Sequence, residues 1–102
     1  MKNMKIPDIV KNEVKKIDKD AQVILFGSRA RGDHSGESDW DFLILLCLED
    51  TETIKRKIRD KLFEIELETD EIISSIIENK KKWGNYKVTP LFKNIEKEGL
   101  LI

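Results

Sequence analysis

Two hydrophobic periods alternate along the chain. Ile6, Val10, Val14 and Ile17 recur at helical spacing around Pro7, which suits a first turn, and predict an amphipathic helix through residue 19 with one buried stripe. Gln22 to Phe26 (QVILF) predicts a short buried strand. Gly27 to Ser38 mixes Gly27, Gly32 and Gly36 with Ser, Asp and His, and predicts a loop, alone or with a helical turn. Asp39 to Leu48 predicts a second strand, apolar on both alternating faces and therefore covered on both. Asp50 or Thr51 suits the cap of the next helix, whose stripe is Ile54, Ile58, Leu62 and Ile65. Glu71 to Ile77 (EIISSII) predicts a third strand, although a continuing helix fits the same residues, and its isoleucines predict core. Residues 80–90 predict a loop, Pro90 to Gly99 a short helix ended by its glycine, and Leu100 to Ile102 an apolar tail packed back onto the body. The order α-β-β-α-β-α predicts an α+β fold, a small mixed sheet with flanking helices.

The 102 residues predict a single domain, 1–102, near the low end for a self-sufficient core. Lys plus Arg number 19 and Asp plus Glu 20, a net charge of -1, which excludes nucleic-acid binding driven by bulk charge. The charge is unevenly placed: residues 49–71 carry 5 basic and 9 acidic side chains, and residues 72–102 carry 6 basic and 3 acidic. Lys80, Lys81 and Lys82 stand beside Trp83, a combination that can meet phosphate or a base; a solvated turn is the simpler reading, and nucleic acid is not the expected partner. No apolar run approaches the roughly 20 residues of a membrane span. Met1 to Asp8 carries Lys2 and Lys5 without an apolar stretch, so a signal peptide is not expected and the expected location is cytoplasmic. The lone Cys47 excludes an internal disulfide and reads as a small buried hydrophobe.

The chemistry-bearing stretch is Leu25 to Leu45, LFGSRARGDHSGESDWDFLIL. Asp39 and Asp41 lie two apart at the start of a strand, so their carboxylates project from one face. Two like charges side by side call for a counter-charge, and Mg²⁺ favours carboxylate oxygens combined with substrate phosphates. A surface Asp-x-Asp in a turn is the alternative, weakened by the apolar run FLILL that anchors the pair to a rigid strand. Gly27 and Ser28 follow the first strand directly. A glycine there lets backbone approach a ligand closely, and the serine adds a hydroxyl donor. Arg29 and Arg31, two of only 4 arginines against 15 lysines, add positive charge for a polyphosphate, or shape the loop, or meet a partner. The span is not a P-loop, since Asp33 and His34 stand where Lys and Ser/Thr belong. His34 reads as an exposed loop residue, and Trp40 as pointing to the opposite face, into core. Trp83 and Tyr86 read as packing or partner contacts before base-stacking ones.

Gly27-Ser28-Arg29-Ala30-Arg31-Gly32 followed by Ser38-Asp39-Trp40-Asp41 resembles the nucleotidyltransferase motif of the DNA polymerase β-like superfamily. The short length resembles its minimal branch, which includes antitoxins paired with HEPN-domain toxins. The resemblance implies that Gly27 and Ser28 contact a nucleoside triphosphate, with Arg29, Arg31 and Ser38 beside them. It implies that Asp39 and Asp41 hold one or two Mg²⁺ ions, and that ATP or another NTP donates its NMP to an acceptor hydroxyl. The acceptor site would belong to a second chain, a HEPN-type toxin or a helical substrate-binding subunit. One departure stands out. Active members usually carry a third carboxylate on the third strand, where this chain has Ser74 or Ser75, with Asp70, Glu71 and Glu78 at the strand's two ends. A catalytically degenerate module that works by binding a partner is therefore the rival reading.

Overall fold

A computed structural model describes residues 5–33 and 35–102. The expectations for His34 and for the first four residues lie outside the described residues. Helix α1 (Ile6–Ile17) buries Ile6, Ile9, Val10 and Val14, with Ile17 half-buried. It stops two residues before the sequence pattern suggested. Strand β1 (Gln22–Phe26) leads into a single helical turn, α2 (Ser28–Arg31). Strand β2 (Trp40–Leu46) begins one residue later and ends two residues earlier than the expected Asp39 to Leu48. Helix α3 (Glu52–Thr69) starts where the Thr51 side chain accepts the Ile54 amide, and it buries Ile58, Leu62 and Ile65. Strand β3 spans Ile73–Asn79, two residues later than expected.

Four further elements complete the chain. The segment read as a loop folds instead into a helical turn, α4 (Lys80–Trp83), and a 3-10 turn (Gly84–Tyr86). The Asn79 side chain caps α4, and Trp83 is buried against Phe92 and Tyr86. Helix α5 (Pro90–Glu98) is capped by the Thr89 hydroxyl. The apolar tail becomes strand β4 (Leu100–Leu101), paired antiparallel with Ile24 and Leu25 of β1. Gly99 ends α5 in extended rather than left-handed backbone; a Cβ there would collide with the Ile95 carbonyl and with Ile24. Close approach of the helix end to the sheet, not a left-handed turn, is what this glycine serves.

The sheet order is β3-β2-β1-β4, with β1 antiparallel to both its neighbours and β2 parallel to β3. The parallel pair follows from the α3 crossover, since a short turn cannot join parallel neighbours. Phe42, Ile44 and Leu46 point into a core shared with α1 and α3, whereas Leu43 and Leu45 meet Trp83, Ile95 and Phe92 on the other face. All five residues from Phe42 to Leu46 are buried, so β2 is covered on both faces as its sequence predicts. Cys47 corrects the expectation of burial: it lies one residue past the strand and is exposed. Of the β3 isoleucine cluster, Ile77 is buried, Ile73 and Ile76 partly so, and Ile72 is 55% exposed because it precedes the strand.

Candidate active site

The site forms where β1 ends and β2 begins. These ends meet because the two strands are antiparallel, with Phe26 opposite Asp41. Gly27 then turns the chain with φ 75°, in a region that favours glycine. A Cβ at Gly27 would also strike Oδ2 of Asp41, so the missing side chain is what lets the turn lie against this carboxylate. Ala30 and Arg31 amides donate to the Gly27 carbonyl and close α2, which Gly32 ends at φ 84°. The first amides of such a turn, at Ser28 and Arg29, have no acceptor within the helix.

Asp41 is the second residue of β2, and Ser74 faces it from β3. Asp39 stands just before the strand and accepts a hydrogen bond from Ser74 Oγ at 3.3 Å. The two carboxylates thus share one side, as their spacing predicts. Burial pushes the Asp41 carboxyl above its usual range, the Asp39 charge adds to that, and Arg31 opposes it. Among the described residues neither aspartate forms an ion pair. A pair of oxygen-rich anions in a cradle kept open by a glycine fits a hard divalent cation, with water and phosphate oxygens filling the remaining positions.

The two arginines part company. Arg31 is on the surface, its Nε 3.1 Å from Asp33 and its Nη1 3.0 Å from Glu98 at the end of α5. Both carboxylates raise its pKa, Asp33 the more strongly. Arg29 turns inward, with its side chain 9% exposed. Its Nε and Nη2 donate to the Ser38 carbonyl at 3.2 and 2.9 Å, and Nη2 also reaches the Gly36 carbonyl at 3.3 Å. Its guanidinium lies 4.3 Å from the Trp40 ring centre. Trp40 is half-buried against the α1/α3 core, not enclosed by it, and its indole N–H donates to Glu71 at 3.1 Å. The Ser38 hydroxyl accepts the Ser35 amide at 2.9 Å and closes the loop locally.

None of the three acids considered for a third carboxylate joins the pair. Glu71 faces Trp40 and Arg29, Asp70 forms the left-handed end of α3, and Glu78 pairs with Leu45 at the far end of β3, where it accepts the Tyr86 hydroxyl. Among the described residues no group of three metal-ligating side chains comes together. A cleft of about 660 Å³ opens at that far end, lined by Cys47, Asp50, Thr51 and Lys82 among others. It is ion-paired surface, with Lys82 holding Asp50 at 2.9 Å and its pKa down to about 2. Two parts of the site escaped sequence reasoning. Glu98 lies 67 residues from Arg31, with no local signal, and the Arg29–Trp40–Glu71 contact was signalled only by an aromatic set between the two aspartates.

The chain matches the family model described as "Nucleotidyltransferase domain" over residues 7–101. It belongs to that family. It is 44% identical over 82 residues to a protein of Methanocaldococcus jannaschii named "Putative protein adenylyltransferase", a match covering 76% of this chain and 83% of that one. The fold also resembles a chain in a solved structure described as "Crystal structure of the toxin-antitoxin with AMP-PNP", with a TM-score of 0.58 and 19% identity over 89% of this chain and 70% of that one. The nucleotidyltransferase fold is thus shared where little sequence is. Among the described residues no helix is long and apolar enough to cross a membrane.

Proposed function

We propose that this nucleotidyltransferase moves AMP from ATP to a hydroxyl of a partner protein, with Mg²⁺ held by Asp39 and Asp41. The observation that carries this reading is the carboxylate pair itself, two anions set side by side against Gly27 with burial and mutual repulsion raising Asp41. A pure scaffold gains nothing from that arrangement. The acceptor oxygen would attack the α-phosphorus, the bond to the bridging oxygen of the β-phosphate would break, and pyrophosphate would leave. Mg²⁺ supplies alignment of the α-phosphate and neutralisation of the departing charge. Gly27 lets phosphate oxygens approach the backbone, Ser28 offers its hydroxyl and amide, and Arg31, on the surface beside the site, can exchange Glu98 for phosphate.

The protein acceptor is supported by the name of the M. jannaschii relative, and a paired toxin by the description of the structural neighbour. A helical partner of the HEPN type suits that reading, in the cytoplasm, and so does the apolar surface left exposed at Phe63 and Leu67 on α3. One observation favours the rival, a silent module acting by contact alone: Ser74, a residue without charge, faces Asp41 where family resemblance places the third carboxylate. Thermal unfolding tests the nucleotide site on which the enzyme reading rests. Mg²⁺-ATP at a hundredfold excess over Kd should stabilise the fold by about 2.7 kcal/mol. The gain should shrink sharply with a chelator and in Asp39→Asn/Asp41→Asn. Absence of any rise at millimolar Mg²⁺-ATP, with or without the partner, removes the enzyme reading.

A further inference from the structure

We propose that Arg29 is a positioning residue, which fixes where Asp39 and Asp41 stand and does not touch the nucleotide. This rests on the reading of those two carboxylates as the metal-binding pair. Arg29 grips the chain on both sides of Asp39: it donates twice to the carbonyl of Ser38, and its guanidinium lies against the ring of Trp40. Glu71 completes the enclosure, accepting the Trp40 indole N–H and standing 3.7 Å from Arg29 Nη2. The side chain is only 9% exposed, and its Nε and Nη2 are committed to carbonyls and one carboxylate.

The geometry has a direct consequence. Neighbouring strand residues face opposite ways, so pinning the Trp40 ring to the α1/α3 side sends Asp39 and Asp41 to the other. A slip of one residue would reverse all three. Arg29 also belongs to the four-residue turn that starts at Ser28, so one rigid piece presents the phosphate-facing serine and holds the start of β2. Lysine cannot reproduce this, because an ammonium gives neither a two-pronged donor nor a flat face for the indole.

The test uses the full chain, with Mn²⁺ as the spectroscopic stand-in for Mg²⁺ and ATP with EDTA as the metal-free probe. In Arg29→Lys, Mn²⁺ affinity at fixed ATP, read by electron paramagnetic resonance, should fall about 10–100-fold. Metal-free ATP affinity should stay within about twofold, since Nε and Nη2 of Arg29 are held by the Ser38 and Gly36 carbonyls. Amide exchange at Trp40, which donates to the Ile72 carbonyl at 2.9 Å, should speed up in the metal-free variant at unchanged global stability. A tenfold loss of metal-free ATP affinity would make Arg29 a phosphate ligand and overturn the proposal. Unchanged Mn²⁺ affinity with only a lower melting temperature would make it a plain fold contact and overturn it too. If Arg29→Lys does not fold, Glu71→Gln keeps an acceptor for Trp40 and should weaken Mn²⁺ in the same direction; no change there overturns the proposal. Wild type that binds neither Mn²⁺ nor ATP defeats the reading of the carboxylate pair itself, and this inference with it, whatever the variants do.

Discussion

Strand β2 has carboxylates at both ends, and the two ends treat them in opposite ways. Beyond its C-terminal end, Asp18 is 4% exposed, yet it accepts the amides of Cys47 at 2.7 Å, Leu48 at 3.0 Å and Asp20 at 3.2 Å. Nearby, Asp50 has Lys82. At the N-terminal end Asp41 has a second aspartate for a neighbour, and its pKa rises. The same strand thus carries one end whose charges are satisfied and one whose charges are not. Where the fold needs a carboxylate it supplies donors. Where it leaves two unmatched, the match is expected from outside the chain.

The sharpest way to break this contrast is Asp39→Asn/Asp41→Asn. Transfer of radiolabel from ATP to the acceptor should fall at least about a thousandfold, the several kcal/mol that metal alignment supplies. The melting temperature should hold or rise, because the variant loses a repulsion; a large fall would mean that the pair is structural. The mirror experiment is Asp18→Ala. It leaves buried amides without an acceptor and should cost about 2–4 kcal/mol in urea unfolding, with nucleotide affinity per folded molecule unchanged.

Gly27→Ala tests the hinge between the two behaviours. A side chain at φ 75° costs about 1–3 kcal/mol, and here it also displaces Asp41. Stability should fall by that amount and Mg²⁺-ATP stabilisation should disappear, read together in one thermal titration. The smallest effects separate the two ends by pH. Asp41 stands above its ordinary 3.8 in the folded chain, so its contribution is full below that value and lost as pH rises through the folded one. Asp50, near 2, contributes above 3.8 and loses that contribution as pH falls. Unfolding midpoints between pH 2 and 7 should show Asp41→Asn gaining on wild type as pH rises, and Asp50→Asn falling behind it.

Much of this was legible in the residues because it is local. The stripes of α1 and α3, the doubly covered β2 and the Gly27-Ser28 and Asp39-x-Asp41 pairs each announce themselves within about two turns or one strand. What stayed hidden depends on distant partners. Two residues, Leu100 and Leu101, carry no strand signal until β1 offers them an edge. Cys47 looks buried in an apolar run, but the strand ends one residue earlier. Arg29 and Arg31 look alike in sequence; only the packed loop sends one inward to Ser38 and Trp40 and the other to the surface with Glu98.

The dry run from Phe42 to Leu46 has a consequence for ancestry. It holds the sheet together through contacts on both faces and owes nothing to the aspartates in front of it. Losing those aspartates should therefore leave the fold intact. A lineage built on this frame can shed its chemistry in one or two substitutions and keep its shape, passing from enzyme to silent companion without crossing an unfolded intermediate. The reverse journey, which must reinstall a repulsive pair, runs uphill.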